Sequence, residues 1–222
     1  MFESFTLERF LSYATMYNQD LYPGQYLMLG LGLIATLTVF FRTKHSSRFI
    51  SAILAFFYGW IGIQFYMIYF KEFMPIPYIF GILFIIQALI FIFEGTIRNR
   101  ISFQFKADLY GLTGALLIIY AILGYQALEY LLGRGYPEIL SFGMFPCPTV
   151  IFSLGILLWT GKKFPPYILI FPLIQALSGF IPAFMIGIIE DIGLIISCLL
   201  VVCLLGYRDK FLIFSKIKKE GP

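Results

Sequence analysis

Seven apolar stretches separated by short charged joints constrain the fold of this 222-residue chain more than any other feature. They cover residues 25–41, 49–70, 75–93, 109–132, 140–160, 166–188 and 192–207. A helix of about 20 mostly apolar residues can cross the hydrocarbon core of a bilayer. Only 13% of the residues are charged, whereas a soluble domain has about 25%. The pattern therefore predicts an all-α, polytopic membrane protein with one integral membrane domain over residues 1–222.

The scarcity of charged and reactive side chains excludes several functional classes. The chain has three cysteines and one histidine, which are too few for a disulfide framework or a His-rich metal site. The charged residues are too sparse for a disordered segment or a nucleic-acid module. We therefore expect no cofactor, no metal and no nucleic-acid partner, and we assign no catalytic residue.

Basic and acidic residues alternate from joint to joint. Thirteen of the 16 lysines and arginines follow the first, third, fifth and seventh stretches, and eight of the 12 acids lie at the N-terminus or near the other joints. Because short cytoplasmic loops collect Lys and Arg, seven spans with the N-terminus outside and the C-terminus in the cytoplasm fit this alternation. Residues 1–21 are predicted to form an interfacial segment, and the basic tail 208–222 is predicted to contact anionic lipid.

An internal repeat is a further prediction. An offset of 123 residues places Tyr22-Pro23 on Phe145-Pro146, and an offset of 118 places Glu72 on Glu190. This favours a plan of three spans, one inverting span and three more spans, as in transporters built from parallel repeats. The alternative is a chance match between apolar helices of similar composition.

The run Phe145–Thr149 predicts a break in the fifth stretch. Two prolines flank Cys147 and oppose a regular helix, so a helix is expected only from Thr149 to Thr160, about 18 Å long. Its N-terminus would lie below the outer surface, where unpaired amides would act on Cys147 or on an anion. The alternative is a kinked entry in which Cys147 is a small packing residue.

Four motifs stand out together: Phe145–Thr149, Tyr17-Asn18, Tyr22–Gln25 and Glu190–Gly193, with Tyr22 where a tryptophan is expected. In these motifs the chain resembles, from Leu7 to Tyr207, a bacterial family of uncharacterised multi-pass membrane proteins of about this length. The resemblance implies a location in the bacterial inner membrane and supplies no catalytic residues. The seven-span plan also resembles that of the SWEET and PQ-loop transporters, in architecture only, because their Pro-Gln dipeptides are absent.

Polar residues of the outer half predict a shared binding site. Polar groups inside a membrane protein indicate a functional site by default, although an amide also serves to tie helices together. We predict an outward-facing polar vestibule near the Pro-Cys-Pro break. Its candidate binding residues are Asn18, Gln25, Glu129, Cys147, Thr149, Gln175, Glu190 and Asp191.

The sequence leaves three functional hypotheses. The first is a small-molecule transporter or permease for an uncharged or anionic solute, in which one repeat moves against the other. The second is a non-catalytic structural or assembly subunit of a larger membrane complex, or a homo-oligomer. The third is a membrane enzyme with Cys147 as nucleophile beside Glu190 or Asp191.

Overall fold

The computed structural model describes residues 6–41, 43–72, 77–161, 163–179 and 182–220, and the side chains to residue 208 except those of residues 182 and 185. Regular structure in this part of the chain is helical, apart from one isolated bridge between Phe103 and Thr160. The all-α prediction is therefore confirmed. The helices are α1 Leu7–Asp20, α2 Gly24–Thr38, α3 Ser46–Tyr69, α4 Pro77–Ile97, α5 Leu109–Leu131, α6 Pro146–Leu158, α7 Pro166–Ser178 and α8 Ile192–Glu220.

Helices α2 to α8 each coincide with one of the seven predicted stretches. Four segments, α3, α4, α5 and Ile189–Arg208 at the start of α8, are long and apolar enough to cross a membrane, whereas α2, α6 and α7 are shorter. Large apolar side chains remain exposed along the outside of the bundle, among them Leu37, Leu116 and Leu199. Water would not tolerate so much contiguous apolar surface, so this is a membrane protein.

Helix α6 occupies the centre of the bundle. All 13 of its residues are buried, which is the expected placement of a helix that is apolar on every side. It packs most extensively on α5 and then on α8. A Cβ atom built on Gly114 of α5 would lie 2.7 Å from the carbonyl oxygen of Gly155 in α6, and one on Gly155 would lie 2.8 Å from that of Gly114. These two glycines therefore let the two backbones meet directly.

Helices α3 and α4 meet in the same way. A Cβ atom on Gly62 would lie 2.8 Å from the Gly81 carbonyl oxygen. Gln87 of α4, which is buried, donates through Nε2 to the Ile168 carbonyl of α7 at 3.0 Å. This amide ties two helices together, as predicted for a buried glutamine.

The predicted cytoplasmic joints converge at one end of the bundle. Phe103 donates its amide N–H to Ser47 Oγ at 3.1 Å, and Gly161 donates to the Ser102 carbonyl at 2.9 Å. Arg208 donates to the Thr160 carbonyl at 2.8 Å. The joints after the first, third and fifth stretches and the end of the seventh thus contact one another, as an alternating up-and-down path requires.

The opposite end is formed by α1, the connection from α5 to α6, and the turn before α8. Phe10 and Tyr17 of α1 pack on Phe70 and Phe145, with ring centroids 5.6 and 5.3 Å apart. Asn18 Nδ2 donates to the carbonyls of residues 137 and 139, each at 2.7 Å. The N-terminal segment is thus an integral part of this end of the bundle.

Three structural details differ from the sequence predictions. Helix α6 starts at Pro146, not at Thr149, because the first helical turn uses no intrahelical N–H and so accepts proline. The sixth stretch is not one helix: α7 ends at Ser178, and a separate wide turn covers Pro182–Ile186. Within the first predicted repeat unit α3 packs mainly on α4, whereas within the second α6 packs more on α8 than on α7. The packing gives the predicted repeat no support.

Candidate functional site

Polar side chains from four parts of the fold meet beside the N-terminus of α6. We call this set the buried cluster, and none of its side chains belongs to a residue that is more than 8% exposed. The set contains three carboxyl groups and one guanidinium in the interior of a membrane protein, which is a costly arrangement that indicates function. The buried cluster consists of Glu129, Arg134, Cys147, Gln175, Glu190 and Asp191.

Local chain geometry positions the charged members of the cluster. Glu129 lies in the last turn of α5, which ends in Gly133 with a φ of +84°, the left-handed conformation that commonly terminates a helix. The reversal directs Arg134 back toward the bundle. Glu190 and Asp191 lie in a short 3₁₀ turn, Ile189–Asp191, directly before α8.

Asp191 accepts a hydrogen bond from a neutral donor and lies beside a thiol. The Tyr125 hydroxyl of α5 donates to Asp191 Oδ1 at 2.5 Å. The Cys147 thiol, in the first turn of α6, lies between Asp191 and Gln175 of α7. Gln175 Nε2 reaches the Tyr66 hydroxyl of α3 at 3.3 Å. Asp191 is therefore connected through Cys147 and Gln175 to the other half of the bundle.

The other two carboxylates contact the connection between α5 and α6. Glu190 Oε1 forms a salt bridge with Arg134 Nη2. Both oxygens of Glu129 accept the Leu140 amide N–H, at 2.9 and 3.1 Å. Residues 137–140 thus face Glu129 on one side and Asn18 on the other.

Three buried polar atoms of the cluster have no hydrogen-bond partner among the described residues. They are Arg134 Nη1, Gln175 Oε1 and Glu190 Oε2. An unpaired buried polar group costs about 1–3 kcal/mol, so such groups are rare in a purely structural core. The cluster therefore retains free donor and acceptor capacity in the interior.

A wide turn in α5 aims two tyrosines at the same point. Residues five apart on a regular α-helix lie about 140° apart around the axis. The i→i+5 hydrogen bonding over Tyr120–Gly124 brings Tyr120 and Tyr125 together, with ring centroids 6.2 Å apart. The Tyr120 hydroxyl then donates to the Glu190 carbonyl at 3.0 Å. Gly193 leaves room for this ring, since a Cβ atom there would lie 2.4 Å from it.

The remaining predicted site residues lie apart from the cluster and serve the fold. Gln25 Nε2 donates to the Asn18 carbonyl at 2.6 Å. Thr149 Oγ1 accepts the Gly143 amide N–H at 3.0 Å and donates to the Phe145 carbonyl at 2.7 Å. These bonds fix the entry into α6. Of the eight predicted residues, the structure brings together Glu129, Cys147, Gln175, Glu190 and Asp191.

Tyr17 of α1 also helps to fix the chain where it enters α6. Burial raises the pKa of the Tyr17 phenol well above its usual range, so the hydroxyl stays neutral. It donates to the Met144 carbonyl at 3.2 Å and accepts from Trp60 Nε1 at 3.1 Å.

Sequence reasoning missed four participants: Arg134, Tyr66, Tyr120 and Tyr125. Arg134 had a detectable signal, because it is one of only three basic residues on the acidic side of the alternation. The tyrosines had none, since 15 tyrosines are spread along the chain and only packing selects these three.

The residues predicted to line an outward-facing vestibule are buried in this structure. Glu129, Thr149, Glu190 and Asp191 are each at most 2% exposed. Within the described residues, no group of three or more His, Cys, Asp or Glu side chains is placed to hold a metal ion. The Cys147 thiol is buried beside a carboxyl group, which disfavours the thiolate that nucleophilic attack requires.

Comparison with known proteins gives one match. The sequence model of a family described as a family of unknown function, DUF6064, matches residues 7–215. No curated protein and no solved structure matches the chain.

Proposed function

The chain belongs to the DUF6064 family, whose function is unknown, and we propose from the buried cluster that it is a membrane permease for small solutes, seen here in a closed state. The observation that carries the proposal is the set of unpaired buried atoms, Arg134 Nη1, Gln175 Oε1 and Glu190 Oε2. The structural amides Gln25 and Gln87 each leave one isolated acceptor unpaired, whereas the cluster gathers two unpaired acceptors and a guanidinium donor in one place, as a ligand site does.

The placement of the cluster supports this proposal. The cluster lies where the short, fully buried helix α6 begins. The backbone just before α6 is not helical, and such backbone inside a membrane protein is tolerated where it lines a cavity or is buried in protein. Transporters place their solute sites at such discontinuous helices. The cluster also joins α5, α6, α7 and the turn before α8, so relative movement of these elements would open it.

The charge of the cluster bears on the solute. Three carboxyl groups face one guanidinium, so an anion alone would be repelled despite the helix N-terminus nearby. We therefore propose an uncharged or cationic solute in place of the uncharged or anionic one predicted from the sequence. Unpaired acceptors on Glu190 and Gln175 and an unpaired donor on Arg134 suit a polar solute with several hydrogen-bonding groups.

We further propose seven crossings, with the N-terminus outside and the C-terminus in the cytoplasm of the inner membrane. The convergence of the basic joints at one end supports it. The proposed contact of the tail with anionic lipid involves side chains beyond residue 208, outside the described ones.

Single cysteines test this orientation. In a variant without native cysteines, Tyr136→Cys is expected to react with a membrane-impermeant maleimide in intact cells, because Tyr136 is exposed on the proposed outer side. Lys163→Cys is expected to react only after the cells are permeabilised. Labelling of Lys163→Cys in intact cells would reverse the orientation.

Uptake into proteoliposomes tests the proposed activity. We expect accumulation of at least one member of a panel of radiolabelled neutral and cationic solutes, and an uptake rate at least tenfold lower for Asp191→Asn and Cys147→Ala. Cys203→Ala is the matched control, because Cys203 is exposed on the outside of α8 and should leave uptake unchanged.

Native Cys147 provides a test that needs no solute. In the Cys198→Ala/Cys203→Ala variant, a permease that opens its site should show slow labelling of Cys147 by an impermeant maleimide. A variant that keeps only Cys198, which is buried between α7 and α8, should remain unlabelled. A structural subunit, the alternative function, predicts no labelling of Cys147 in the folded protein, and that result together with no uptake would refute the permease.

A further inference from the structure

We propose that Asp191 is a proton-binding site of this protein, loaded when the buried cluster is closed, and that solute movement is coupled to movement of this proton. Proton binding stands on the geometry of the cluster alone. The coupling rests on the proposed permease function.

The charge count of the cluster requires bound positive charge. With Glu129, Glu190 and Asp191 ionised and Arg134 protonated, the cluster would carry two negative charges in excess. Each of these four residues is at least 92% buried. An uncompensated buried charge is far more costly than a protonated carboxyl group, so the site takes up protons. A proton needs no cavity of its own, so it can bind to a cluster whose side chains are already in contact.

The partners of each carboxyl group indicate where a proton resides. Glu190 pairs with Arg134 and is the carboxylate best stabilised as an anion. Glu129 receives the Leu140 N–H on both oxygens. Asp191 lies against two neutral groups, the phenol of Tyr125 and the thiol of Cys147. A phenol or a thiol can turn and accept the proton of a carboxylic acid, whereas a backbone N–H or a guanidinium can only donate. Among the three, Asp191 is therefore the carboxyl group whose proton would find an acceptor.

Titratable groups from every element packed against Asp191 surround it. Their charges favour a proton on Asp191. Arg134 is the one cation of the described groups that act on it, whereas the others are acids or neutral groups whose ionisation would add negative charge. Those groups are Tyr66 of α3, Tyr120, Tyr125 and Glu129 of α5, Cys147 of α6 and the adjacent Glu190.

Gln175 provides the second observation. Its residue is 3% exposed, it contacts Cys147, and its Oε1 atom lacks a partner. When Asp191 carries the proton, its hydroxyl can donate to Cys147 Sγ, and the thiol proton then turns toward Gln175. Rotation of the amide by half a turn presents Oε1 as the acceptor. Loading one proton thus gives Oε1 two donors, the thiol and the Tyr66 hydroxyl, while Nε2 moves to the position that Oε1 leaves.

Infrared spectroscopy of the purified protein in lipid nanodiscs tests proton binding without any solute. At neutral pH the wild type should show the C=O stretching band of a buried protonated carboxyl group, which shifts in D₂O. Asp191→Asn should lose this band. Asp20→Asn, a change at an exposed acid, is the matched control and should keep it. A wild type without the band, or a band that persists in Asp191→Asn, would overturn the assignment.

Tyr125→Phe keeps the test decisive if Asp191→Asn does not fold. The phenylalanine ring preserves the packing and removes the donor to Asp191 Oδ1. The band should then move to higher frequency, because the carbonyl loses a hydrogen bond. An unchanged band frequency would place the proton on another carboxyl group.

Proteoliposomes test the coupling separately. Uptake of a transported panel solute should rise several-fold when the outside is acidified relative to the inside, and Asp191→Asn should lose this dependence. Uptake that ignores the gradient would overturn the coupling and leave the permease standing. The infrared band together with no uptake of any panel solute would instead refute the permease and leave the proton site standing.

Discussion

Arg134→Gln is expected to destabilise the protein far more than Glu190→Gln, although the two residues form one salt bridge. Removing one partner of a buried ion pair costs about 3–5 kcal/mol because the other charge stays uncompensated. Loss of Arg134 leaves three carboxyl groups without a cation. Loss of the Glu190 charge leaves Arg134 near Glu129 and Asp191, and both of these carboxyl groups interact electrostatically with its guanidinium. We therefore expect the full penalty for Arg134→Gln and about 1 kcal/mol or less for Glu190→Gln.

The measurement is the thermal midpoint of unfolding in detergent, followed by size-exclusion elution of each purified variant. Arg98→Gln is the matched control, because Arg98 is 43% exposed and its partner Glu94 keeps a second salt bridge with Arg100. That control should change the midpoint little, because the buried Glu94 carboxylate keeps Arg100 as its partner. Equal losses for Arg134→Gln and Glu190→Gln would show that the pair is balanced and would contradict the excess negative charge on which the proton site rests.

Gly155→Leu is expected to prevent assembly of the bundle, and Gly155→Ala to lower the free energy of unfolding by about 1–3 kcal/mol. The cause is the direct contact of α5 and α6, where a Cβ atom on Gly155 would lie 2.8 Å from the Gly114 carbonyl oxygen and 2.9 Å from Ile118 Cγ1. The Gly114 carbonyl oxygen belongs to the backbone and cannot move aside as a flexible side chain can. Since α6 is buried along its whole length, separating it from α5 disturbs the centre of the protein.

Gly30 of α2 supplies the matched control, since nothing lies within 4 Å of a Cβ atom built there. Gly30→Ala and Gly30→Leu should give monodisperse protein with a thermal midpoint equal to that of the wild type or higher, because either residue favours a helix over glycine. If Gly155→Leu and Gly30→Leu elute and unfold alike, the close approach of α5 and α6 is wrong.

The helices could be predicted from the sequence because their signal is local. A run of apolar residues bounded by charged joints indicates a helix whatever that helix packs against. Each of the helices α2 to α8 overlaps one such run. Helix ends were less predictable. Pro146 and Pro148 suggested a break up to Thr149, yet they occupy the first turn of α6, where proline costs no hydrogen bond.

The candidate site was predictable in part, for a related reason. Glu129, Glu190 and Asp191 stood out because acids are rare in an apolar chain, and Cys147 because of its flanking prolines. Asn18, Gln25 and Thr149 had the same polar signal but form hydrogen bonds that hold α1 and the entry into α6. Composition cannot distinguish a polar residue that fastens the fold from one that faces a site.

The sequence by itself determined that this is an all-α membrane protein whose basic and acidic joints alternate, because hydrophobicity and charge act residue by residue along the chain. The tertiary structure decided which polar groups meet, since Arg134 and Glu190 are 56 residues apart and Tyr66 and Gln175 are 109 apart. Such contacts depend on helix packing, including the glycine contact that places α6 at the centre. Packing also buried three carboxyl groups beside one guanidinium, and the proposed proton on Asp191 follows from that imbalance.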